Sequence, residues 1–273
     1  LVDLRFAKTG LGAYYLGYNF DQCANQLVTP RNGYSQGEIV AMVESYRPAL
    51  RPVLYAGLGR ARANYQAIKS RGDLAVLDLG AVLEPFAPAH RAEVARGFGE
   101  FVRNTARQLS GPDPAGIRID PKVVAALAEG LAANAPNFEH AVEGLATDSE
   151  VHLERDTARD IIEQEAIAAQ LPPALQAHFA RGWGTVLGRT ARRGIPADLA
   201  ALRGAIERVP RELRLAFFDG FGAGLGDRPG LDRPTPDLRS VLPEDAPIAA
   251  IEAARMRRAA AIGIDPGDAV DNE

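Results

Sequence analysis

The chain has 273 residues, 47% hydrophobic and 24% charged, with a formal net charge of −4. That length can bury a substantial core, and the slight acidity excludes a global basic field for nucleic acid. A single cysteine, Cys23, excludes an internal disulfide and a cysteine-based metal site, and reads as a small buried hydrophobe.

The basic residues are nearly all arginine, Lys8, Lys69 and Lys122 being the lysines. With heavy Ala and Gly usage, this is the composition of a GC-rich bacterial genome, so arginine enrichment by itself carries little functional weight. No apolar run reaches transmembrane length. The sequence opens Leu1-Val2-Asp3 without Met. A removed signal peptide would imply a periplasmic or secreted protein; otherwise a cytoplasmic one is expected.

Taken in order, Leu4 to Gln26 predicts a first helix, and Thr29 to Tyr34 a turn. Ser35-Gln36-Gly37-Glu38 is a capping-box pattern opening a short helix that ends before Pro48. Pro48 to Arg71 predicts a long helix, stopped by Arg71-Gly72-Asp73. That triplet is too short to specify adhesion and is read as a helix stop. Leu74 to Phe86 and Ala87 to Leu109 repeat the short-then-long scheme, and Ser110 to Gly116 is a loop. Asp120-Pro121 is an N-cap and first-turn proline for a helix reaching about Asn134.

Pro136 to Ala146 is a weaker copy, and Thr147-Asp148-Ser149-Glu150 is a second capping signature. The helix after it, to about Gln170, is the most charged in the chain and is expected to be a solvated face. Pro172 to Ala191 holds the only Trp; Pro196 and Pro210 open two further helices. Asp227 to Pro247 is proline-rich and acidic, which predicts irregular chain. Ile248 to Ile262 predicts a short helix that could cap the array.

These segments share a pattern. A glycine follows an apolar run at Gly17, Gly57, Gly97, Gly182 and Gly220, spaced by 40, 40, 85 and 38 residues, and Gly144 marks a degraded copy in the wide gap. At Gly57, Gly97, Gly182 and Gly220 a second glycine follows two residues on. Proline lies nine or ten residues upstream of each of these four, at Pro48, Pro88, Pro172 or Pro173, and Pro210. Proline disfavours helix in the residue before it and fits the first turn of the next. Each unit is therefore two helices. Glycine inside a helix costs about 1 kcal/mol against Ala, and close helix–helix approach is its commonest compensation. A phosphate loop would need a preceding strand and wider glycine spacing. No stretch sustains period-two alternation. The fold class is all-α, an array of five or six helical hairpins of about 40 residues over 1–226, as a solenoid or a pseudo-symmetric bundle. Residues 227–273 form a C-terminal segment.

Few residues suggest chemistry. Glu44, Glu84 and Glu207 each precede an arginine (Arg51, Arg91, Arg214) by seven, across the proline break. Such pairs serve as corner contacts or, alternatively, as an arginine ladder for an anionic ligand. The candidate ligand contacts are Arg51, Arg91 and Arg214, with Trp183. His90/Glu93 and His140/Glu143 have H-x-x-E spacing, which reverses the E-x-x-H of carboxylate-bridged metal sites. No metal site and no cofactor are expected, and no nucleophile elbow is present.

Val209-Pro210-Arg211-Glu212-Leu213-Arg214, running to Asp219-Gly220-Phe221-Gly222, resembles repeats of an uncharacterised helical family from enediyne and polyketide biosynthesis clusters. Leu171 to Gly184 and Ala87 to Gly97 are similar in style. The resemblance implies a role in natural-product assembly and supplies no catalytic residues. Two functions lead, and a third, metal-dependent oxidation, rests only on the histidines. One is a binding or scaffold protein that engages a partner protein or an apolar small molecule. The other is a biosynthetic enzyme with an apolar cavity lined by Tyr14, Tyr15, Tyr55, Phe98, Trp183, Phe217 and Phe221.

Overall fold

The computed structural model describes residues 34–46, 48–147, 157–192, 196–227, 237, 239 and 242–261. The first expected helix, Cys23, Tyr14, Tyr15, Gly17, His152 and most of the second capping signature lie outside the described residues. The described elements are helical, with no strand among them.

In chain order the α-helices are α1 (Gln36–Glu44), α2 (Arg51–Lys69), α3 (Leu79–Leu83), α4 (Pro88–Ser110), α5 (Pro121–Ala132) and α6 (Phe138–Leu145). They continue with α7 (Thr157–Ala168), α8 (Pro173–Arg192), α9 (Pro196–Arg208), α10 (Arg214–Gly226) and α11 (Ile248–Ala261). Local chemistry sets the boundaries. Ser35 and Glu38 form the capping box at α1. Asp78 accepts from the Ala81 amide at the start of α3, and Asp120 from the Lys122 amide at α5. At the end of α2, Arg71 and Gly72 take φ of 58° and 87°, and the Gly72 amide donates back to the Ala67 carbonyl. The Arg-Gly-Asp triplet is thus a Schellman-type helix stop.

The glycine-bearing helices pack on one another in sequence order: α2 on α4, α4 on α6, α6 on α8, α8 on α10. α11 then packs on α10. The reason is visible at the glycines. A Cβ on Gly97 would fall on the carbonyl oxygen of Ala56, on Gly144 on that of Arg96, on Gly182 on that of Glu143, and on Gly220 on that of Arg181. The second glycine of each pair meets the helix on the other side. Gly59 abuts the Val94 carbonyl, Gly99 that of Ala141, Gly184 that of Phe217 and Gly222 that of Ile251. One glycine admits the preceding helix and the other the following one.

The alternate helices close the outside. α3 packs on α2 and α4, α5 on α6 and α8, and α7 and α9 on α8 and on each other. One contiguous apolar core runs from Ile39 in α1 to Ile251 in α11.

The charged helix departs from expectation. Residues 150–156 of that stretch lie outside the described residues, and α7 is exposed on one side only: Thr157, Asp160, Ile161, Glu163, Gln164 and Ile167 are buried, Glu163 to 1% exposure. Glu163 accepts from Arg103 at 3.0 Å and pairs with Arg107 at 2.5 Å. Arg103, fully buried in α4, also donates to the Ala146 carbonyl at 2.9 Å. Asp160 and Glu163 are partners for arginines of α4, while Arg159 is exposed and Glu165 pairs with Arg208 of α9; a composition argument could not tell the two sides of α7 apart.

Candidate functional site

The proline corners hold the arginines that the sequence singled out. Arg51 Nε donates to the Tyr46 carbonyl at 3.0 Å, and Arg91 Nε to the Phe86 carbonyl at 2.8 Å. Arg214 Nε donates to the Val209 carbonyl at 3.3 Å. Gln176 fills the same place in α8, donating to the Leu171 carbonyl at 3.0 Å. In each case the partner lies five residues back, across the break, where the preceding turn leaves a carbonyl without an intrahelical donor. Glu44 also pairs with Arg51 at 2.5 Å. Arg214 reaches the Glu207 backbone carbonyl, and its carboxylate partner is Asp245.

Trp183 lies in the core, edge-on to Phe217 at 5.8 Å between ring centroids. Its Nε1 is buried without a hydrogen-bond partner among the described residues. Tyr55, Phe98, Phe217 and Phe221 are core side chains as well. His90 stacks on Tyr55 at 4.1 Å. The Tyr55 hydroxyl donates to Glu44 at 2.7 Å; burial, with this hydrogen bond and the Glu44 charge, holds its pKa well above the usual tyrosine range. Among the described residues no group of three or more His, Cys, Asp or Glu is placed to hold a metal ion.

The structure assembles a different cluster. A cavity of about 200 Å³ is walled by residues of α4, α6, α8, α10 and α11. α8 supplies Arg181, Thr185 and Arg189; α10 supplies Asp219 and Ala223, with Asp227 at its end. These are matching stripes at i, i+4 and i+8, one helix face each. The charges stand at the ends of each stripe and a small residue in the middle, which leaves the space. Arg96, Glu143, Ala254, Arg257 and Arg258 complete the wall.

The charges form one alternating chain. Arg257 pairs with Asp219 at 2.6 Å, Asp219 with Arg181 at 2.9 Å, and Arg181 with Glu143 at 3.4 Å. Glu143 pairs with Arg96 at 2.9 Å, Arg96 with Glu93 at 2.8 Å, and Glu93 with Arg258 at 2.9 Å. Arg258 pairs with Asp227 at 2.9 Å, and Asp227 with Arg189. His140 sits beside it, its Nδ1 3.0 Å from Glu143.

Burial by itself raises the Glu143 carboxyl pKa. The hydrogen bond with His140 and the charges of Arg96, His140 and Arg181 outweigh it and hold the group at about 2. Glu93 is likewise held at about 2, burial being overcome by Arg96 and Arg258. For Asp227, Arg189 and Arg258 overcome the same burial effect and pull the pKa well below the usual range. These carboxylates are firmly ionised, so none is poised as a general acid or base near neutrality.

No family model, curated protein or solved structure matches the chain. The site therefore rests on its own geometry.

None of Arg51, Arg91, Arg214 and Trp183 lines this cavity. The residues that do carried a signal in the sequence: Arg96, Glu143, Arg181 and Asp219 each stand directly before a packing glycine and alternate in sign. The same backbone positions supply the carbonyls on which the next glycine rests, at Arg96, Glu143 and Arg181.

Proposed function

We propose that the chain is a helical-repeat binding protein, an array of helical hairpins whose ligand seats in the charge-lined cavity between α4, α6, α8, α10 and α11. The observation that carries this reading is convergence. Five helices from across the chain aim ionised side chains into one space of about 200 Å³, on the order of seven water volumes. The recurrent glycine contacts and the corner hydrogen bonds at the starts of α2, α4, α8 and α10 support the array, because the same two devices recur along it.

The lining directs the choice of ligand. A small polar or charged molecule complements it, in place of the apolar molecule expected from the repeats and their aromatic residues. The alternative of a biosynthetic enzyme with an apolar cavity has weaker support, since Tyr55, Phe98, Trp183, Phe217 and Phe221 are occupied with core packing. A place in natural-product assembly, implied by the resemblance of the Pro-to-Gly segments, is compatible with a carrier of a charged intermediate.

Native mass spectrometry of gently purified protein, beside its denatured mass, tests the reading. The expected result is extra mass lost on denaturation, and lost also from a folded Ala223→Leu variant that fills the cavity. A native mass equal to the bare chain, unchanged on incubation with a library of small polar metabolites, would overturn it.

A further inference from the structure

Resting on the cavity as a binding site, we infer that its ligand is a polyhydroxylated molecule, a sugar or other polyol, whose neighbouring hydroxyls bind the Asp219 carboxylate and the Arg181 and Arg257 guanidiniums on either side of it.

Accessibility within the wall decides where a ligand can bind. Three carboxylates line the cavity, Glu143, Asp219 and Asp227. The side chains of Glu143 and Asp227 are 5% and 12% exposed, closed off by their arginines. Asp219, at 33%, is the open one. Arg257 of α11 donates to its Oδ1 at 2.6 Å, and Arg181 of α8 pairs with its Oδ2 through Nε at 2.9 Å. Both guanidiniums are more open still and line the same cavity. Three accessible groups therefore meet at one carboxylate, an acceptor with a donor on each side. Each keeps capacity to spare, since a carboxylate offers about four lone-pair sites and a guanidinium about five N–H donors.

A charged group seated at this place meets a like charge whichever sign it carries. A carboxylate or phosphate reaching for Arg181 and Arg257 comes against Asp219 between them. An ammonium on Asp219 comes against the two guanidiniums. A hydroxyl avoids both conflicts, because it accepts from a guanidinium N–H while it donates to the carboxylate. Two neighbouring hydroxyls match the two Asp219 oxygens, each with its own arginine alongside. This local pattern does not depend on the total charge of the ion-pair chain, to which His140, beside Glu143 and outside the wall, adds when protonated. Between the charged ends the wall is small: Ala223, Ala254 and Thr185, whose hydroxyl is turned to the Arg181 carbonyl at 3.0 Å. That middle leaves room for the carbon skeleton of the ligand.

An NMR titration of the arginine Nε–H signals with myo-inositol and with D-ribose tests this. Cyclohexanol, sodium acetate and methylammonium chloride are parallel arms at constant ionic strength. Arg181→Lys and Arg257→Lys variants assign the two signals. The expected result is saturable movement of both at millimolar polyol, weaker and non-saturating movement in the other arms, and no movement of the Arg91 signal at its proline corner. Asp219→Ala should bind the polyols about 10-fold more weakly or worse, since charge-assisted hydrogen bonds are lost. The same variant should gain saturable acetate binding, the anion taking the place of the missing carboxylate. Arg257→Ala, at a largely exposed side chain, should also weaken polyol binding; circular dichroism checks that both variants fold. Acetate or methylammonium binding the wild type more tightly than either polyol would overturn the hydroxyl assignment. Polyol binding unchanged in both variants would overturn its placement at Asp219. Should native mass spectra show a ligand lost from Ala223→Leu while neither polyol moves the two signals, this inference falls and the cavity stands as the site. No retained mass in any form would overturn the broader reading, and this one with it.

Discussion

Gly97 and Gly204 are both helical glycines with opposite surroundings. A Cβ on Gly97 would land on the Ala56 carbonyl, backbone that cannot rotate aside; a Cβ on Gly204 would meet nothing within 4 Å. Gly97→Ala should therefore destabilise the protein by about 1–3 kcal/mol through overpacking. Gly204→Ala should stabilise it by up to about 1 kcal/mol through helix propensity. Urea midpoints of the two variants check this, and equal shifts would mean that the glycines are not packing devices. Glu163 makes a second residue-scale case. Glu163→Gln takes the carboxylate charge away from the fully buried Arg103 guanidinium, at a cost of about 3–5 kcal/mol. A loss under 1 kcal/mol, read by the same urea titration, would contradict that account of the α4–α7 contact.

Between helices, the proline corner is the recurring joint. Proline ends one helix, and the side chain at the start of the next reaches back to a carbonyl that the break has orphaned. At the α3–α4 corner, Arg91→Ala removes the 2.8 Å bond to the Phe86 carbonyl. About 1.5–3 kcal/mol should be lost, with faster amide exchange concentrated in α3 and the first turn of α4. Were Arg91 instead a ligand contact, the variant would keep its stability and exchange pattern and lose binding alone. The corner was readable from the sequence because it is local: its partners are five to seven residues apart. The burial of α7 was not, because its neighbours Arg103 and Arg107 lie 60 and 56 residues away from Glu163.

For the molecule as a whole, the ion-pair chain ties five helices together and makes stability depend on pH. Glu93 and Glu143 are held at about 2 in the folded state, against an ordinary value of 4.5. Their folded pKa values are depressed, so their contribution is complete above about pH 4.5 and is lost as pH falls towards 2. The urea midpoint, followed by the fluorescence of buried Trp183, should fall steeply through that window. In a Glu93→Gln/Glu143→Gln variant the decline should be flatter and start from a lower midpoint. A wild-type midpoint that stays level from about pH 5 to pH 2.5 would show that the chain of pairs contributes no net stability.

The sequence by itself determined the elements and their joints. Proline placement, capping residues and helix-period apolar runs act over a few residues, so α1 to α11 were legible as helices, α7 without its burial. The glycine spacing also announced close helix contacts, since a helix tolerates recurrent glycine at a cost that only packing offsets. Which charges meet was decided by tertiary structure alone. Arg258 and Glu93 stand 165 residues apart and are brought together only when α11 seats on α10 and its Arg258 reaches α4. The same docking turns Arg96, Glu143, Arg181 and Asp219, alternating charges beside packing glycines, into one wall. Charge alternation is visible along a sequence, but Coulomb attraction depends on distance in space, and that distance is set by how each helix rests on the glycines of the next.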